Sequence, residues 1–176
     1  MKRTVCAVVC FWVVSCIFSV PAFAEDFNAR AVSAFQKFRT LSEAWTNAFL
    51  SGGGAGQGDV GKELTDHENN EFAFVLNALP EKYCAAPNKD VLNEFMKTLI
   101  ATANSGSENP IYVFAELFAC DPDGVTKGIM SLTPEEQKVI VENLDYGFKN
   151  IAYKVESMPD YKKVTGKLEK LKKLNP

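Results

Sequence analysis

Apolar side chains in this chain recur at spacings of three and four residues, and no stretch alternates apolar with polar at a spacing of two. Residues three and four apart share one face of a helix, whereas a half-buried strand needs every second residue apolar. Phe35, Phe38, Leu41, Trp45 and Phe49 follow one another at 3, 3, 4 and 4, and Tyr161, Val164, Leu168 and Leu171 at 3, 4 and 3. No Asn-Gly hairpin turn is present, and no internal repeat. The pattern predicts an all-α fold: a compact single-domain bundle of six or seven helices.

The punctuation between the periodic stretches gives the boundaries. A first helix over 26–50 ends at Ser51-Gly52-Gly53-Gly54, and residues 52–62 read as a flexible Gly-rich loop. A second helix starts near Thr65, where Thr-x-x-Glu with Glu68 resembles a capping box, carries Phe72, Val75 and Leu79 inward, and stops before Pro80. The third covers about 89–103, with Leu92, Phe95, Met96, Leu99 and Ala103 on one side. Asn109-Pro110, Asp121-Pro122 and Thr133-Pro134 each place a capping side chain before a proline, which marks three further starts. These helices reach Cys120, about Met130 and about Val155, and a last one covers about 160–173. The aromatic strip Phe35, Phe38, Trp45, Phe49, Phe72 and Phe74 reads as core, with Phe74 off the inward face of its helix.

Residues 1–24 stand apart from this pattern. Lys2 and Arg3 precede an apolar run to about Val20, Pro21 interrupts it, and Ala22-Phe23-Ala24 puts small residues at the −3 and −1 positions before Glu25. This is the layout of a secretory signal peptide, so the expected product is periplasmic or secreted after cleavage near Ala24. Val13-Val14-Ser15-Cys16 leaves open a lipoprotein anchored at Cys16. Cleavage would leave residues 25–176 as one helical domain with net charge −5 and two of the five cysteines, Cys84 and Cys120. Two cysteines in an exported chain most simply bond to each other. A metal pair is a poor alternative, because a structural zinc site needs four ligands.

Three motifs bear on chemistry. Gly56-Gln57-Gly58-Asp59-Val60-Gly61-Lys62 matches a phosphate loop as far as its lysine, but Glu63 stands where Ser or Thr should hold Mg²⁺ and no strand precedes it. His67-Glu68-Asn69-Asn70-Glu71 is a zinc-protease helix pattern with Glu in place of the second His. His67 and Glu71, with Glu63 nearby, are therefore the candidate metal ligands, the centre of an alternative reading as a metal-dependent hydrolase or metal-binding protein. Asp121-Pro122-Asp123-Gly124 has too few acids and a misplaced glycine for a calcium loop. A single histidine supports no Ser-His-Asp set, so no catalytic residue and no cofactor is expected.

Charge separates along the chain. Residues 25–148 carry net −10, whereas 149–176 carry net +5, supplied by eight lysines. Lys162, Lys163, Lys167, Lys170 and Lys173 lie on the last helix and are the candidate partner-binding residues. They suit an acidic protein, or weak contact with an anionic membrane surface. Nucleic acid is not expected: none of these basic residues is Arg, the usual reader of base edges. In type the chain is similar to small periplasmic binding and inhibitor proteins, including immunity proteins that block secreted toxins. That similarity implies binding to another protein without catalysis. A lipid-binding or small apolar ligand-binding helical domain is a further alternative, expected to show a Phe-lined cavity.

Overall fold

The computed structural model describes residues 21–52, 55–103, 108–156 and 160–174, with side chains described from Phe27 onward except at 55–57. The leader up to residue 20, with Cys16, lies outside the described residues. The helices are α1 (Pro21–Leu50), α2 (Ala55–His67), α3 (Ala73–Ala85), α4 (Lys89–Ala101), α5 (Asn109–Cys120), α6 (Pro122–Ile129), α7 (Pro134–Asn150), the single turn α8 (Ala152–Val155) and α9 (Tyr161–Leu174). No strand occurs among the described residues. A π-helical turn, Glu68–Phe72, joins α2 to α3, so Ala55–Ala85 is one continuous helical rod and the described residues form eight rods.

Two of the three capped starts hold: Asp121 accepts from Gly124, and Thr133 with Glu136 forms a reciprocal capping box. At α5 the cap position falls on Glu108 with no side-chain bond, so Asn109 is the first helical residue and not the cap; at α4 the Asn88 side chain accepts from the amides of Asp90 and Val91. Three further expectations fail, each where packing overrides a local signal. The Gly-rich stretch is helix from Ala55 onward, not a loop over 52–62; the break is confined to the end of α1, where Gly52 takes a positive φ of 100°. Thr65 opens no helix, since its hydroxyl donates to the Gly61 carbonyl inside α2. The rod also runs through Pro80 to Ala85. A proline inside a helix costs about 3 kcal/mol, but Leu79 and Tyr83 on either side of it are both buried, which offsets that cost.

The core is contiguous and built on stacked rings. Phe38 and Phe72 lie 4.0 Å apart, Phe35 and Phe95 4.9 Å, and Phe95 meets Phe114 edge-on at 6.2 Å. Phe118, Phe148 and Tyr161 continue the chain of rings toward α9. α5 runs through the middle with Phe114, Ala115, Leu117 and Phe118 fully buried, as its apolar sequence predicts. It lies so close to α7 that a Cβ on Gly147 would come within 2.6 Å of the Ile111 carbonyl oxygen. Cys84 and Cys120 are bonded, with Cα atoms 5.7 Å apart, so the last turn of α3 is tied to the end of α5. Cys84 sits within the helix and not in a turn after it. The expected single helix over 133–155 breaks at Ile151, although Ile151 and Val155 both stay buried.

Candidate functional site

The candidate metal ligands are not assembled. His67 is buried, and its Nε2 lies 2.9 Å from the backbone oxygen of Ala34 on α1. A carbonyl can only accept, so Nε2 carries the hydrogen and is not free to bind a cation. Glu71 is held at 2.6 and 2.8 Å by both arms of the Arg30 guanidinium, and Arg30 lies 4.0 Å over the ring of Phe74. The hydrogen bond from Arg30 holds the Glu71 carboxyl below the usual carboxylate range, against a smaller push upward from burial. Glu63 pairs with Lys37 at 3.2 Å. Each of the three side chains is instead engaged by a partner on α1: His67 by the Ala34 carbonyl, Glu71 by Arg30 and Glu63 by Lys37. No group of three or more His, Cys, Asp or Glu residues is placed to hold a metal among the described residues.

On α9 the Leu face is buried through Val164, Leu168 and Leu171. Of the nominated lysines, Lys167 belongs to an ion pair within the body, with Asp123 of α6. Lys172, not nominated, does the same with Asp145 at 2.9 Å. Lys162, Lys170 and Lys173 are exposed and have no ion-pair partner among the described residues, and exposed Lys163 only adds to the positive field at Asp123. Attraction between a basic helix and an acidic body thus accounts for two lysines, and the others face solvent.

The feature missed in the sequence is at the far end of α1. From Ser42 to Leu50 no residue of α1 is buried, nor is any described side chain of α2 before His67. These two stretches pack on each other, Trp45 against Gly61, as a limb of low burial. Here the periodicity of α1 continues without a core to receive it. Trp45 is 39% exposed, Phe49 60% and Leu50 76%, in contrast to the core roles expected for Trp45 and Phe49. The rings of Trp45 and Phe49 stack at 5.7 Å. Trp45 also rests on α2 at Gly61, where a Cβ would come within 3.2 Å of the indole nitrogen. The rest of the aromatic strip behaves as read: Phe35, Phe38 and Phe72 are buried and Phe74 is exposed. The sequence carries no signal that separates the two halves, since polar residues stand between the apolar positions in both.

Comparison of the chain with protein-family models, with curated proteins and with solved structures returns no match. No helix among the described residues is long and apolar enough to cross a membrane.

Proposed function

We propose that this chain is an exported, non-enzymatic protein that acts by binding another protein, in the manner of periplasmic inhibitor or immunity proteins. The contact is made by the aromatic end of the α1–α2 limb. The observation that carries this is the stacked Trp45–Phe49 pair, with Leu50 next to it in sequence, all exposed among the described residues at the end of α1. Large aromatic and aliphatic side chains held out on rigid helices lose little conformational freedom on binding, and such anchors dominate interface energies. Export is supported by the leader and by the bonded Cys84–Cys120 pair, since disulfides persist in oxidising compartments. The exposed Lys162, Lys170 and Lys173 supply a separate basic surface that would steer an acidic partner or graze an anionic membrane.

The test is recovery of a partner from envelope extract by the disulfide-bonded protein at micromolar concentration. The expected outcome is one stoichiometric partner, lost with W45A/F49A/L50A while helical circular dichroism and melting temperature hold. Recovery of no partner, or equal recovery by the triple variant, contradicts the proposal.

A further inference from the structure

A cleft of about 290 Å³ opens between the last turn of α3, the first half of α4 and the length of α6. Its floor is apolar, formed by the buried Tyr83 and Leu92 and by Gly128. Lys89 and Lys127 line it, both exposed, and neither has an ion-pair partner among the described residues. The one carboxylate in the wall, Asp121, is already occupied on both oxygens. Oδ1 accepts from the Gly124 amide at 2.9 Å and Oδ2 from the Tyr83 hydroxyl at 3.0 Å. The disulfide fixes this wall, because Tyr83 precedes Cys84 and Asp121 follows Cys120.

We infer that this cleft binds a small amphipathic carboxylate, an organic acid with a short apolar tail. Two lysines against one aspartate leave one net positive charge, which matches a monoanion and disfavours a doubly charged phosphate set beside Asp121. The apolar floor takes a tail that a purely inorganic anion lacks. The volume lies at the small end of ligand pockets, which run from about 300 Å³ upward, so the tail is short. The lysines sit at the rim on long flexible stems that reach a headgroup while the tail lies on Leu92 and Tyr83. This site is independent of the aromatic limb, being lined by α3, α4, α6 and the residues next to their ends.

The experiment titrates the whole, disulfide-bonded protein with sodium octanoate below its micellar range and follows backbone amide resonances. Saturable shifts centred on Gly124 and Gly128 are expected. Octylammonium, with the same tail and the opposite charge, should produce none. K89Q/K127Q should weaken octanoate at least tenfold with the remaining spectrum unchanged, whereas K163Q/K170Q on α9 should bind as the parent does. Absence of saturable shifts at Gly124 and Gly128, equal binding of octylammonium, or undiminished binding by K89Q/K127Q overturns the inference.

Discussion

Arg39 makes the polar contact that fastens α1 to α4. Its guanidinium donates to the Glu94 side chain at 2.6 Å, to the Glu94 carbonyl at 3.0 Å and to the Thr98 hydroxyl at 3.3 Å. Burial pushes the Glu94 carboxyl up, but hydrogen bonds from Lys97 and Arg39 together outweigh it and hold the group below its ordinary range. A depressed carboxyl contributes stability that is present above the unfolded-state value of about 4.3 and is lost as pH falls through the lower folded-state value. R39M should therefore cost about 1–3 kcal/mol at pH 7 by leaving a largely covered carboxylate short of donors. It should also flatten the loss of stability between pH 5 and pH 2, as urea titrations at each pH would show. An unchanged acid profile would count against this role. Two glycines give a sharper contrast at the same scale. A methyl on Gly147 meets the Ile111 carbonyl, whereas one on Gly166 of α9 meets nothing within 4 Å. G147A is expected to destabilise by about 1–3 kcal/mol through overpacking, and G166A to stabilise by about 0.5–1 kcal/mol as a helix-interior glycine is replaced. Both are read from chemical melts.

Elements whose ends are set by neighbours in sequence were legible, and those set by distant packing were not. Asp121-Pro122 and Thr133-Pro134 carry their own caps, and the structure places helix starts there. The stretch from Gly56 to Gly61 carries the opposite local signal. It is helical where Leu64 packs on the core and Gly61 lies against Trp45 of α1. Pro80 reads as a stop and is carried through because Leu79, Tyr83 and Cys84 are each fixed from outside the helix. Removing it tests this: P80A should raise stability by about 1–3 kcal/mol, the interior-proline cost less the entropy that proline removes from the unfolded chain. A loss of stability would mean that the proline ring itself packs the rod. Of the candidate sites, the disulfide followed from simple pairing. For His67 and Glu71 the spacing of residues could not show the partners on α1 that engage them, the Ala34 carbonyl and Arg30.

At the scale of the whole molecule, one covalent bond and one unused surface define what the bundle can do. The bridge closes a loop across a sequence separation of 36, worth about 3–4 kcal/mol in the chain-entropy model. Reduction should lower the unfolding free energy by that amount without abolishing helical structure, because α5 remains packed on α7 and α4 on α1. The bundle buries Phe35, Phe95, Phe114 and Phe118 completely and still leaves Trp45, Phe49 and Leu50 in solvent, a distribution that stability alone does not favour. The most direct measurement is photocrosslinking in the living source cell with a benzophenone amino acid at position 49, compared with the exposed position 138 on α7. A single discrete adduct is expected from position 49 and none from position 138. No adduct at 49, or the same adducts from both positions, would contradict it.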